Sequence, residues 1–183
     1  MKKVNAIGLI LGLFLFGFSS PDLSAQKTDS GFEYFAHLGL AFSDFEGLYL
    51  DIGVEKAFTE KLSAQVFLDY YPNPVDLGDF YEDFSTSAYG IGVYGKYNLF
   101  DNDKLGFYAR GGLHLTFLTM NYDWFGEEIE LASETKLGLG GGAGFEYTLS
   151  DNMKLLVDGT VRTLFGDEAL TFFVISAGVK LSL

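Results

Sequence analysis

Residues 48–70 read LYLDIGVEKAFTEKLSAQVFLDY. In the first half Leu48, Leu50, Ile52 and Val54 alternate with Tyr49, Asp51, Gly53 and Glu55. A period of two places the apolar side chains on one face of an extended strand. Thr59, Glu60 and Lys61 interrupt the pattern, and beyond them Leu62, Ala64, Val66, Leu68 and Tyr70 alternate with Ser63, Gln65, Phe67 and Asp69. Two one-faced strands joined by a tight turn make a β-hairpin.

The same unit recurs along the chain. Tyr89, Ile91, Val93, Tyr97 and Leu99 oppose Gly90, Gly92, Tyr94, Lys96 and Asn98; after a turn at Asp101-Asn102-Asp103-Lys104, Leu105, Phe107, Ala109, Leu113, Leu115 and Phe117 oppose Gly106, Tyr108, Arg110, Gly112, His114 and Thr116. A third unit runs from Leu137 to Tyr147, turns at Ser150-Asp151-Asn152 and returns through Leu155, Val157, Val161 and Thr163, opposed by Lys154, Asp158, Thr160 and Arg162. Leu156 breaks the alternation by placing an apolar residue on the polar side. The last strand sets Phe173, Ile175, Ala177, Val179, Leu181 and Leu183 against Ser176, Gly178, Lys180 and Ser182, and a weaker first strand spans Phe32 to Phe42. The count is about eight, an all-β, eight-stranded antiparallel up-and-down pattern.

Hydrophobic residues make up 48% of the chain and aromatics 17%. Beyond the N-terminus, however, no stretch is long enough for a transmembrane helix. A transmembrane β-barrel reconciles the two facts, because its apolar residues face lipid from every second position and never accumulate into a run. The N-terminus itself has Lys2 and Lys3, an apolar run from Ala6 to Phe18, then Ser19, Ser20 and Leu23-Ser24-Ala25. Charged, apolar, small is the order of a secretory signal peptide, predicted over residues 1–25, with the barrel domain over 26–183. The apolar core falls short of the roughly 20 residues that a spanning helix needs. Removing Lys2, Lys3 and Asp22 takes the formal net charge from -13 to -14. Such an acidic chain is repelled by phosphate backbones, which disfavours nucleic-acid binding. Cysteine is absent, so disulfides, thiolate metal sites and a lipidated cysteine are excluded.

Alternation alone does not say which way the sheet is rolled, since a lipocalin has the same strand count with its apolar face inward. The polar face here is rich in glycine: Gly90, Gly92, Gly106, Gly112, Gly138, Gly140, Gly142, Gly144 and Gly178. A narrow interior needs that relief and a solvated face does not. Aromatics at strand ends (Phe58, Tyr70, Tyr71, Tyr89, Tyr97, Phe100, Phe117, Tyr147, Phe165) suit an interfacial girdle, and no trailing helix follows the last strand to close a calyx. The short turns near Thr59, Asp101 and Ser150 are expected on the periplasmic side. The longer connections, residues 43–47, 72–87, 119–133 and 165–169, are then extracellular. They hold Asp44, Glu46, Asp76, Asp79, Glu82, Asp83, Asp123, Glu127, Glu128, Glu130, Asp167 and Glu168, without a Lys or Arg.

In the last strand, Ser176-x-Gly178-x-x-Leu181-x-Leu183 resembles the C-terminal insertion signal of outer-membrane barrels, with Leu183 where the family usually ends in Phe. Together with the strand pattern over the whole mature chain, the sequence resembles the OmpA/OmpX-type, porin-like family of small eight-stranded barrels. The resemblance implies export to the outer membrane of a Gram-negative bacterium, contact with its lipid and lipopolysaccharide, assembly by the barrel-assembly machinery, and a monomer.

Candidate chemistry is sparse. Gly90-x-Gly92-x-x-Gly95 matches a dinucleotide fingerprint by letter, but a strand follows where the phosphate-cradling helix belongs, and no cofactor is expected. The inward face gathers Glu33, Asp51, Glu55, Asp69, Glu146 and Asp158 against Lys96, Arg110, Arg162 and Lys180, with His37 and His114 nearby. Buried charges must pair, so an interior ion-pair network is the leading reading; an ion or proton path and a histidine–acid catalytic pair are its rivals. A plain solvated hairpin is the leading reading of residues 121–130; against it, Asp123, Glu127, Glu128 and Glu130 are candidate ligands for Ca²⁺ or Mg²⁺, with which they would bridge to lipopolysaccharide phosphates. Trp124 and Phe125, in the same stretch, would alternatively anchor a partner. The functional expectation is a non-enzymatic surface barrel working through acidic loops, its interior plugged by side chains. A narrow channel for small solutes or ions is the alternative, and a lipid-modifying enzyme dependent on His37 or His114 the third.

Overall fold

The computed structural model describes residues 31–72, 74, 84–102, 104–124 and 127–182, with side chains omitted at 84–85, 122–124 and 127–131. The predicted signal peptide, Leu183, and the loop acids Asp76, Asp79, Glu82 and Asp83 lie outside it. Eight strands follow one another: β1 (Phe32–Ser43), β2 (Gly47–Ala57), β3 (Leu62–Pro72), β4 (Phe84–Asp101), β5 (Leu105–Trp124), β6 (Glu127–Ser150), β7 (Met153–Phe165) and β8 (Leu170–Ser182). Each pairs antiparallel with its sequence neighbour, and β1 pairs with β8 to close the barrel.

The alternation decides which face is inside. Ile52 is 62% exposed while Asp51 beside it is 3% exposed, and the contrast repeats around the wall. Leu38, Leu50, Leu68, Leu113, Leu139, Phe173 and Ile175 all lie on the outer surface, so the calyx arrangement is ruled out. Closure leaves the sheet no free edge along the body of the wall, the condition for strands to cross hydrocarbon. The tight turns are built by side chains that stand in for backbone partners. Thr59 Oγ1 accepts from the amides of Lys61 and Leu62, and Asn102 Oδ1 from those of Lys104 and Leu105. Register shifts at Asn98/Phe100 and Thr148/Ser150 mark bulges beside two of these turns.

Three expectations are corrected. Residues 119–124 and 127–133 are strand and not loop: β5 and β6 continue as the paired arms of a hairpin, with Trp124 opposite Glu127 and Asp123 opposite Glu128. Thr119, Tyr122 and Ile129 supply strand-forming residues there, and β4 supports the base by pairing Phe84–Ala88 with Leu118–Tyr122. Because the β6–β7 ladder begins only at Leu137, this extension stands above the β7 rim. Likewise β4 starts at Phe84, inside the span read as loop 72–87. Tyr71 is fully buried on the inner face, not in the outer girdle, since Tyr70 takes the outward position and stacks on Tyr89 with ring centroids 4.7 Å apart. Within the connection 43–47 Phe45 folds inward and is fully buried.

Candidate functional site

The inward side chains form three levels. At the end away from the short turns Phe45 stacks on Phe172, centroids 4.4 Å apart, and meets Tyr71 edge-on at 5.2 Å. Ala41, Tyr49, Ala88, Leu164 and Val174 complete this apolar cluster. The connection carrying Phe45 is pinned on both sides: Asp44 accepts from the Thr171 amide at 2.5 Å, and the Glu46 amide donates to the Pro74 carbonyl at 2.9 Å. Ser43 and Gly47, at its two ends, both take positive φ, which turns the chain inward; Ser43 does so at a steric cost that glycine avoids.

The middle level is polar. Arg162, fully buried, donates to Asp69, to the Tyr71 hydroxyl at 2.5 Å and to the Tyr49 hydroxyl at 2.8 Å. His114 Nε2 lies 2.7 Å from Asp69, and His114 Nδ1 lies 2.9 Å from the Thr116 hydroxyl. Tyr49 donates to Asp51, Tyr108 to Asp158, and His37 sits between those two carboxylates, 2.7 Å from Asp51 and 2.9 Å from Asp158. Arg110 bonds Thr160 at 3.2 Å and approaches Asp158 at 3.5 Å. Between this level and the next, Leu156 packs with Phe35, Phe67 and Tyr94, so the break in its strand's alternation serves a small apolar layer.

The level nearest the short turns is an ammonium–carboxylate lattice. Lys96 binds Glu55 at 3.0 Å and also Glu146; Lys180 binds Glu146 at 2.7 Å and Glu33 at 3.0 Å; Lys154 reaches Glu146 at 3.3 Å. Gln65 links it to the level above, donating to Glu55 at 2.9 Å and accepting weakly from Arg110 at 3.5 Å. Below it a cavity of about 590 Å³ opens, lined by Lys96, Glu146 and Lys180 within and by Glu60, Asp101 and Asp151 at its mouth.

Thus Asp51, Glu55, Asp69, Lys96, Arg110, His114, Glu146, Asp158, Arg162 and Lys180 are all buried, in two linked groups. Inward glycines make room for the large side chains among them: a Cβ on Gly92 would overlap the Phe67 ring, and one on Gly140 the Tyr94 hydroxyl. Sequence reasoning missed the hydroxyls of Tyr49, Tyr71 and Tyr108. Their signal was available, since each stands two residues from a charged inward residue and therefore on the same face. Phe45 left no such signal. Nor did Lys136, which is buried at the upper rim against Glu134 at 2.9 Å and donates to the Glu168 carbonyl at 3.3 Å. Of the insertion motif, Ser176 and Gly178 point inward and Leu181 outward. The candidate cation ligands Asp123, Glu127, Glu128 and Glu130 are placed by backbone only, with Glu130 opposite Asn121.

A closed, eight-stranded wall with a hydrocarbon-compatible exterior is matched by the family described as Outer membrane protein beta-barrel domain, over residues 5–182. The chain belongs to this family. It is an integral outer-membrane protein. None of the curated proteins matches the chain. Among solved structures, Neisserial surface protein A is 19% identical with a TM-score of 0.61, over 85% of this chain and 98% of that one. A major outer membrane protein from Thermus thermophilus is 14% identical with a TM-score of 0.63, over 85% of this chain and 100% of that one. The N-terminal β-barrel domain of Pseudomonas aeruginosa OprF is 13% identical with a TM-score of 0.57, over 84% and 98% respectively. At these identities the likeness is one of fold.

Proposed function

We propose that this outer-membrane barrel is a non-conducting, non-enzymatic surface protein that acts through its acidic extracellular face. The carrying observation is the inward packing at each of the three levels: an aromatic cluster above, an arginine–histidine–aspartate layer at mid-height and a lysine–glutamate lattice below. A bore built this way is plugged, and small barrels in general fill their interior with side chains. The periplasmic cavity is then a blind vestibule that ends against Lys96 and Lys180. His37 and His114, each buried, have no substrate approach, which argues against the catalytic reading. Outside, Asp44, Glu46, Glu134, Asp167 and Glu168 are exposed, and Lys136 among them is buried and already paired. That face suits a partner surface bearing cationic groups, met directly, or an anionic surface such as phosphates bridged to it by divalent cations. Planar-bilayer recording on refolded protein is the test. The expected trace has no discrete steps, and openings of one reproducible size would overturn the plugged reading in favour of a narrow channel.

A further inference from the structure

The two buried histidines stand in different hydrogen-bonding surroundings. His114 Nε2 faces Asp69 at 2.7 Å and carries the hydrogen that the carboxylate accepts, with Arg162 Nη1 a longer 3.3 Å away, whereas its Nδ1 faces a Thr116 hydroxyl, at 2.9 Å, that can itself donate. One proton on the ring satisfies both contacts. His37 has a carboxylate at each nitrogen, Asp51 at 2.7 Å from Nδ1 and Asp158 at 2.9 Å from Nε2. Each carboxylate already accepts from a tyrosine, Asp51 from Tyr49 and Asp158 from Tyr108, as an ionised acceptor does. His37 Nε2 and Asp158 Oδ2, 2.9 Å apart, are both buried, and among the described residues neither has a hydrogen-bond partner, so each is the charged or polar group nearest to hand for the other. A ring with one proton would therefore set a nitrogen lone pair against a carboxylate oxygen in a buried site. Charge balance in this level points the same way. Among the described residues of this level Asp51, Asp69 and Asp158 are opposed by two guanidiniums, Arg110 and Arg162, so the third positive charge falls to His37.

We propose that His37 is an imidazolium, a proton-dependent clamp across the seam where β1 meets β8. It ties Asp51 of β2 to Asp158 of β7, passing over β8 at Gly178, whose backbone lies close against the His37 ring. The charged and titratable groups around it are Asp51 and Tyr49 on β2, Asp158 on β7, and Tyr108 and Arg110 on β5; Arg162 of β7 is one step removed, bonded to Tyr49. Loss of the proton leaves one carboxylate facing a bare nitrogen and the layer one negative charge in excess, so the clamp opens on the alkaline side. This holds whether or not the barrel conducts.

The test is nitrogen-15 spectroscopy of histidine-labelled, refolded barrel in micelles. The chain has two histidines, and proximity to Phe35, at 5.4 Å between ring centroids, distinguishes His37 from His114 beside Phe67. At pH 7 we expect hydrogen on both nitrogens of His37 and on Nε2 alone of His114. As pH is raised, loss of one His37 hydrogen should coincide with a lower temperature at which the compact, unboiled gel band disappears. An unprotonated His37 nitrogen at pH 7 would overturn the assignment. Deprotonation without any fall in that temperature would overturn the clamp.

Discussion

Replacing Arg162 by methionine keeps a long, flexible side chain and removes the guanidinium that joins Asp69, Tyr71 and Tyr49. Asp69 then remains fully buried with His114 as its one strong partner. Stranding one member of a buried ion pair costs about 3–5 kcal/mol. The hydroxyls add little: Tyr49 still donates to Asp51, and Tyr71 loses an acceptor role at the edge of an apolar cluster. Arg162→Met should therefore destabilise the barrel by about 4 kcal/mol, the middle of that range. Adding Asp69→Asn removes the uncompensated charge, and the double variant should recover at least about 2 kcal/mol of the loss, a coupling that a double-mutant cycle isolates. The assay is urea unfolding in micelles, followed by the fraction of protein in the compact band of an unboiled gel. A single variant within about 1 kcal/mol of the parent, or a double variant no more stable than Arg162→Met, would refute the hub.

Leu113, 56% exposed midway along the β5 wall, should cost about 2–4 kcal/mol when changed to arginine, while Phe100→Arg beside the Asp101 turn should cost about 0–1 kcal/mol, because the penalty depends on depth in hydrocarbon. Equal costs at the two sites in lipid vesicles would mean that the wall is not embedded as described. Gly178→Ala places a methyl against the Ala36 carbonyl and the His37 ring, so about 1–3 kcal/mol of destabilisation is expected in the same gel assay, and wild-type behaviour would show that the seam yields more than this packing allows.

The wall was legible because one-residue alternation is a strong and local signal. Leu48 to Tyr70 states the hairpin and its outward face, and the inward acids and bases follow from the same parity. Parity does not say where a strand stops. Residues 119–133 carry turn-forming and acidic residues, yet pairing with β4 below and between β5 and β6 above extends the strands to Trp124 and from Glu127. Pairing is a property of the neighbouring strand, which a single segment does not report. Phe45 was illegible for a related reason: it follows Asp44 in a short acidic connection, and only the ring of Phe172, far along the chain, makes an inward turn favourable. The partners in the interior were unreadable too. Membership of the inner face was visible for Asp69 and Arg162, but their meeting depends on the height at which β3 and β7 face one another across the bore.

The long-range links have a consequence for how the wall closes. Strands β1 and β8 are the first and last of the wall, so their ladder closes the largest loop in the barrel and is opposed by the most chain entropy. Side-chain links reinforce that seam at every level: Asp44 with Thr171 above, His37 with Asp158 in the middle, and Glu33 with Ser182 and Lys180 below, at 3.0 Å each. None of these can form in an isolated hairpin, because each joins β1 or the turn after it to the last two strands. They reward only the closed state, and a sheet left open would strand Asp158 and Lys180 with fewer counter-charges. The burial of these interior charges thus also penalises the partly closed barrel, which couples closure of the wall to ordering of its interior.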